Sequence, residues 1–305
     1  MTDTHMIDVL VVGAGPVGLT LAIDLARRGV TCRIIEQSST YQIGTRGRGI
    51  SMRSQQVFED LGILETLKLY DESMGPNRNY DHDKVVSESN PADLAPVVPA
   101  PYRPALMLSQ SHTEAVLRER LAWYGLHVEL GCQLVGFTQN AESVVASVTH
   151  DGVSEEIQAR YLVGCDGGRS TVRKVAGIAF LGETWEEEHH IIANLSVSGL
   201  DPHYSHTWGN PLAGGLALQW MGHSQVWFFS ASVAPDEHGE FPAPTLETVQ
   251  RLFDERAGYL VCILATPPGS LAGVRIFVWW IATAWGASFW RETPRMLIQL
   301  PVVRA

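Results

Sequence analysis

The chain has 305 residues, 45% of them hydrophobic and 18% charged, with a formal net charge of −11 at pH 7. Such a length can bury a large core and suggests two domains, and the acidic balance argues against a nucleic-acid partner, which needs a basic surface to neutralise phosphates. Cys32, Cys132, Cys165 and Cys262 are scattered with no CxxC pair, so neither disulfides nor zinc is expected, and with no signal-peptide pattern the chain reads as cytoplasmic.

The first element is the stretch VLVVGAGPVGLTLAIDLARRGVTCRIIE, Val9 to Glu36. Val9 to Val12 reads as a buried strand. Gly13, Gly15 and Gly18 make a glycine turn, and an alanine- and leucine-rich helix runs to Arg28, where Gly29 stops it. Thr31 to Ile35 reads as a second strand, ending at Glu36. This is the GxGxxG dinucleotide-binding βαβ unit in full context. Gly13 permits the tight turn, Gly15 lets backbone approach a pyrophosphate, and Gly18 lets helix and strand pack closely. The helix N-terminus offers N–H groups and a positive dipole end to phosphates. Glu36 suits a ribose hydroxyl pair and repels a 2′-phosphate, which favours FAD or NAD over NADP.

Arg46 to Leu67 follows, with a helix expected to be capped by Ser54 and to carry Val57, Phe58 and Leu61 on one face. Gly75 to Pro104 is polar and proline-rich and reads as loop and edge strands leaving the first domain. Ser109 to Gly125 is an amphipathic helix with Thr113 as the expected cap. Short strands are expected at Val128 to Leu130, Gln133 to Thr138, Ser143 to Thr149 and Glu155 to Ala159. A further strand, Tyr161 to Gly164, ends in Asp166-Gly167-Gly168, and Ser170 caps a short helix. That turn suits an anion or is an ordinary connection.

From Phe180 the pattern alternates with period 2. Ile191 to Val197, Leu216 to Met221 and Gln225 to Ala231 read as strands of an antiparallel sheet. Leu246 to Arg256 is a helix. Ile276 to Trp290 is apolar and uncharged and, with the residues before it, approaches the ~20 residues of a membrane span. Arg275 interrupts it and its tryptophans argue against a span interior.

Three blocks together resemble the FAD-dependent aromatic hydroxylases, the single-component flavoprotein monooxygenases. The first is the GxGxxG unit. The second is Cys165, Asp166, Gly167, Ser170, Val172 and Arg173, similar to the family's C-D-G-x-x-S-x-V-R. The third is Arg46, Gly49, Arg53 and Ser54, similar to an R-x-x-G-x-x-x-R-[ST] block beside the flavin. Gln110, near Glu114, matches a glutamine that contacts the cofactor. The resemblance covers Asp8 to Arg256.

The resemblance implies FAD held by Gly13, Gly15, Gly18, Glu36, Arg46, Gln110, Asp166 and Arg173. NAD(P)H would reduce the flavin, and O2 would then serve to hydroxylate a small aromatic substrate. The cofactor carries the hard chemistry while protein positions it and excludes water. The implied fold is α/β, a Rossmann-like FAD-binding domain with a second, β-rich antiparallel-sheet substrate domain. The implied boundaries are 1–178 for FAD binding, with 75–104 an excursion toward the substrate domain, then 179–257 for substrate, then 258–305 as an aberrant apolar tail. No membrane partner and no metal are expected, and the catalytic residues stay unassigned.

A third family motif, G-D-A-A-H, is missing from the protein sequence. Phe289 to Ile298, FWRETPRMLI, permits the codons TTC TGG CGG GAG ACG CCG CGC ATG CTC ATC. Regrouped from the third base, these read L-A-G-D-A-A-H-A-H. The tail is therefore expected to be out of frame from a point upstream of Ile276, to pack weakly, and to leave the chain a truncated, poorly active member.

Trp185 to His190 has poor metal spacing and reads as a solvated turn. His203, His206 and Trp208 read as surface or packing residues rather than pocket ones, and Tyr80, Trp220 and Phe228 as either core or pocket. An NAD-linked dehydrogenase is the competing enzyme reading, and a non-catalytic flavoprotein remnant the competing non-enzyme one.

Overall fold

The computed structural model describes residues 6–41, 47–72, 75–90, 93, 102–103, 105–181, 189–210, 214–257, 262–263 and 275–280. The chain begins with β1 (Ile7–Val12), α1 (Pro16–Arg27) and β2 (Cys32–Glu36). Pro16 sits at the first position of α1, where its missing N–H costs nothing. The helix stops as a Schellman motif: Gly29 (φ +75°) donates to Ala26 O and Val30 to Leu25 O. Then come β3 (Gly49–Ser51), α2 (Met52–Asp60), α3 (Leu64–Lys68), β4 (Asn77–Asp81), β5 (Lys84–Ser89), β6 (Ala105–Met107) and α4 (Gln110–Ala122). Four strands follow, β7 (Val128–Leu130), β8 (Cys132–Gln139), β9 (Val144–His150) and β10 (Val153–Gly164), before α5 (Thr171–Val175).

The first sheet has six strands in the order β7-β2-β1-β10-β9-β8. β1 is parallel to both β2 and β10, which is why it is apolar on both faces. Val9 and Val11 join the core under α1 and α4, while Leu10 and Val12 pack against Leu134, Ala146 and Val148 of the antiparallel side. β10 is a single strand. Its first half pairs with β9 and its second with β1, so the break expected between Ala159 and Tyr161 is a change of partner.

The second sheet is built from β11 (His189–Leu195), β13 (Ser205–Trp208), β14 (Leu216–Met221), β15 (Val226–Val233) and the edge pair β4–β5. One face packs on α6 (Leu246–Arg256): Ile191, Ala193, Leu218, Trp227 and Phe229 meet Val249, Leu252 and Phe253 in one core. The sheet is antiparallel as expected except at one place, where β13 runs parallel to β4. The chain enters β4 from α3, so that strand arrives at the edge by a crossover rather than a hairpin. β12 (Val197–Ser198) pairs with β16 (Cys262–Ile263), and β17 (Arg275–Trp280) pairs antiparallel with β11.

Several expectations are corrected. The cap of α2 is Ser51, whose hydroxyl accepts from Ser54 N, and the cap position of α4 is Ser109 rather than Thr113. Each helix begins three or four residues earlier than its apolar stripe announces. His189 and His190 are not in a solvated turn. They open β11, 4% and 1% exposed, and His189 stacks on Phe241. Residues 182–188 lie outside the described residues. Part of the tail, Arg275–Trp280, is a sheet strand rather than loose chain, while residues 281–305 lie outside the described residues. Among the described residues no helix is long and apolar enough to cross a membrane.

Candidate functional site

The glycine turn joins β1 to α1 where β1 meets β10. Gly13 takes φ +101°, which only glycine holds without strain. A Cβ there would lie 2.5 Å from Cys165 O and 2.8 Å from Asp166 N. A Cβ on Gly18 would lie 1.9 Å from Gly13 O. The two glycine-bearing turns, distant in sequence, are therefore packed backbone to backbone.

Gly15 differs from its neighbours. It is the N-cap of α1 at φ −73°, supplies no side-chain cap, and a Cβ there would meet nothing within 4 Å. The fold leaves open space at this point, beside first-turn N–H groups that have no intrahelical partner. This is the donor set a pyrophosphate needs. Val17, in the same turn, is 46% exposed, so the cleft opens to solvent.

Glu36 is tied to the turn. One carboxylate oxygen accepts from Ala14 N (3.1 Å) and the other from Ser38 N (3.0 Å). An ionised carboxylate has about four lone-pair sites, so acceptor capacity remains for hydroxyl groups. The cleft thus presents donors at one end and an acceptor at the other, which fits a dinucleotide such as FAD.

The remaining sequence-predicted residues are placed as follows. The backbone of Asp166 abuts Gly13, but its carboxylate caps α5, accepting from Ser170 Oγ (2.6 Å), Thr171 N (2.6 Å) and Val172 N (3.2 Å). Arg173 folds back on the same turn, donating to Gly168 O at 2.7 Å and stacking over Phe180. Gln110, at the start of α4, donates to Glu114 at 2.7 Å. Arg46 lies outside the described residues. Cys165 sits beside the turn with its thiol pushed up to about 11 by burial, an inert neutral group.

Sequence reading missed a second polar centre, between the residue before β3 and the second sheet. Arg48 donates to Gln219 Oε1 at 2.6 Å and its guanidinium lies 3.9 Å from the centre of the Phe228 ring. Burial pulls Arg48 down to about 10, opposed by the nearby Glu72 charge. Glu72 itself is pushed up by burial, and one of its oxygens accepts from His223 N at 2.9 Å. Phe228 and Gln219 are cross-strand partners on the face turned away from α6. The inward polar position of Gln219 in an otherwise apolar strand was the available signal.

His206, Tyr80 and Trp208 resolve into packing, while His203 and Trp220 stand in the wall of a cavity of about 480 Å³. His206 is 1% exposed; its Nε2 donates to Asp201 O (3.0 Å), so its Nδ1 accepts from Tyr80 OH (2.8 Å). Tyr80 stacks on Trp208, whose Nε1 donates to His82 O. His203 is exposed beside Asp201, and Trp220 packs on Trp227. Glu129, Cys132 and His150 approach closely enough to suggest a metal. Arg33 already holds both Glu129 oxygens at 2.8 and 2.6 Å, and burial pushes the Cys132 thiol up to about 11. A cation there would meet a guanidinium and a protonated sulfur, so this trio is a poor metal site.

The family model described as FAD binding domain matches residues 6–258. A flavin-dependent monooxygenase of Mycobacteroides abscessus is 38% identical over 257 residues, covering 82% of this chain and 54% of that protein. A 6-methylpretetramide 4-monooxygenase of Streptomyces rimosus is 32% identical over 210 residues, covering 65% of this chain and 36% of that protein. The chain thus spans about half or less of the length of these relatives. A solved ternary complex of aklavinone-11 hydroxylase with FAD and aklavinone is similar in fold, with TM-score 0.72 and 22% identity, over 92% of this chain and 54% of that one.

Proposed function

This chain belongs to the FAD binding domain family, and from that premise we propose that it serves a monooxygenase that hydroxylates an aromatic ring, with NAD(P)H as electron donor. The observation that carries the reading is the uncapped start of α1, open at Gly15 and faced by Glu36. When bound, FAD supplies the redox chemistry that couples NAD(P)H to O2. The chain's own residues bind and orient. Gly13 and Gly18 hold the turn, the first-turn amides and the open space at Gly15 receive the pyrophosphate, and Glu36 accepts from the ribose hydroxyls. Arg46, Gln110 and Arg173 are assigned to the cofactor by their match to the family motifs alone, and Asp166 acts through its cap on α5. Residues 1–178 are the cofactor part and 179–257 the substrate part, with 75–104 crossing between them. The face of the second sheet turned away from α6, with Phe228 and Gln219, covers the substrate side and keeps water out.

A nicotinamide-linked dehydrogenase would leave the second turn and the seven-stranded sheet without a role. The family match ends at 258, where the apolar tail begins, and this supports reading the tail as out of frame. Expressing the chain beside a version with the regrouped frame restored tests both points. We expect flavin absorbance and substrate-stimulated NAD(P)H oxidation in the restored protein, with both reduced in the chain as it stands. A restored protein that takes up no flavin would refute the functional reading, and equal turnover in the two would refute the frame reading.

A further inference from the structure

Three rings from three separate elements meet at one seam. Tyr70 follows α3, His112 lies in the first turn of α4, and His223 sits in the turn between β14 and β15. Tyr70 stacks on His112, with ring centres 4.7 Å apart and planes 16° from parallel. His223 meets Tyr70 edge-on at 5.4 Å and His112 edge-on at 6.1 Å. Glu72 adds a polar tie to the same turn, one carboxylate oxygen accepting from His223 N at 2.9 Å. These contacts hold the β14–β15 turn against α4 and the end of α3. The turn also contributes Gly222 and His223 to the wall of the cavity of about 480 Å³, where Glu72, Ser205 and Trp220 stand as well.

His112 is poorly placed to carry a charge. Its Nδ1 is buried with no hydrogen-bond partner among the described residues, so a proton there is a donor without an acceptor. The residue stands at the N-terminal, positive end of a 13-residue helix, which disfavours a cation. Burial holds its pKa below the ordinary histidine value, and the His223 charge pushes the same way. The neighbouring ionisable groups have other partners. Glu72 is tied to His223 N and is itself pushed up by burial, against the pull of that N–H and of the His223 and Arg48 charges. Arg48 donates to Gln219. Asp71 pairs with Arg103 and accepts from Met107 N. Glu114, on the same helix as His112, pairs with Gln110 and Arg118. The face of the Tyr70 ring favours a cation and offsets part of the penalty.

We propose that the Tyr70–His112–His223 seam is a pH-sensitive latch: with His112 neutral the β14–β15 turn is closed on α4, and protonation of His112 releases the turn and opens the cavity it walls. The folded chain resists this proton, so the closed contact is fully present above about pH 6.5, the ordinary histidine value. It is lost as the pH falls from there toward the lower folded value. The latch acts on the turn whether or not the chain takes up flavin.

Hydrogen exchange of the intact chain tests this, read by mass spectrometry on peptides covering residues 68–72 and 221–226. The two conditions are about pH 7.5 and about pH 5.5, either side of the ordinary histidine value, with the intrinsic pH dependence of exchange divided out. Protection of both segments should fall roughly tenfold at the lower pH, the effect of two like charges about 6 Å apart in surroundings between water and protein interior. The β1–β10 pairing should keep its protection. His112→Phe retains a flat ring against Tyr70 and takes no proton, so its protection should be the same at both pH values. His223→Gln should reduce the fall without abolishing it, because burial still acts on His112. Glu72→Gln should retain the fall. Thermal midpoints are recorded alongside, and if His112→Phe is unfolded, His112→Gln replaces it with the same expectation. Unchanged wild-type protection, an undiminished fall in the His112 variant, or an equal fall in β1 and β10 would each overturn the proposal. Loss of the fall in Glu72→Gln would also overturn it, by moving the proton to the carboxylate.

Discussion

Replacing Gly15 by alanine separates what the fold needs from what a cofactor needs. Gly15 has an extended conformation, φ −73° and ψ −176°, that any residue adopts, and its added Cβ would touch nothing within 4 Å. Alanine is a poorer N-cap than glycine, costing about 0.5–1 kcal/mol. It also stiffens the unfolded chain, which returns about 0.4–1 kcal/mol. The two nearly offset, so stability without FAD should stay within about 0.5 kcal/mol. With FAD the same methyl occupies the space assigned to the pyrophosphate. Pushing the phosphates roughly 1 Å from the α1 amides removes the worth of about one charge-assisted hydrogen bond, about 1.5–3 kcal/mol. FAD affinity in Gly15→Ala should therefore fall roughly ten- to a hundredfold, read by quenching of flavin fluorescence on titration. Denaturant midpoints of the cofactor-free proteins give the stability arm. Gly18→Ala is the contrast: its Cβ meets Gly13 O at 1.9 Å, a backbone clash that forces α1 away and costs at least about 1–3 kcal/mol. It should lose stability and FAD binding together. If Gly15→Ala binds FAD as tightly as the wild type, the pyrophosphate does not lie at this helix end.

Glu36→Lys should weaken FAD binding at least about tenfold, because the ribose loses its acceptor and two backbone amides, Ala14 N and Ser38 N, lose theirs; Glu36→Gln should fall between, and equal affinities in all three proteins would remove the ribose assignment. Asp166→Ala strips three hydrogen bonds from the start of α5 and should lower stability by about 1–2 kcal/mol, measured in urea, with FAD binding affected only as far as the turn against Gly13 loosens. His206 is held below its ordinary value by burial, so the unfolded chain takes up a proton that the folded one resists. Its contribution is fully present above about pH 6.5 and is lost as the pH falls from there toward the lower folded value. His206→Gln should show a shallower acid decline of the thermal midpoint than the wild type; identical slopes would show that other groups govern it. Sequencing the coding DNA from residue 258 onward should reveal codons that regroup to the missing aspartate motif, and a synonymous choice that cannot do so removes the frame explanation.

The βαβ unit from Ile7 to Glu36 was legible because every signal in it is local: turn glycines, a proline at the first helical position, Gly29 at the end, and apolar runs of strand and helix period. Local alternation likewise announced β14 and β15, and α6 was read to its termini. Helix starts were misread at Ser51 and Ser109, where the capping residue precedes the apolar stripe and a second serine or threonine lies within a turn. What sequence could not supply was partnership. β10 switches from β9 to β1 in mid-strand, and β13 takes a parallel neighbour from far upstream. Arg48 meets Gln219 and Glu72 meets His223 across 171 and 151 residues, and Gly13 rests on Asp166. Periodicity states which face of an element is buried but not what buries it. That is decided when strands pair in register and distant turns close on one another, and so the cofactor turn could be read from residues 7–36 alone while the cavity beside Glu72 and Ser205 exists only in the folded chain.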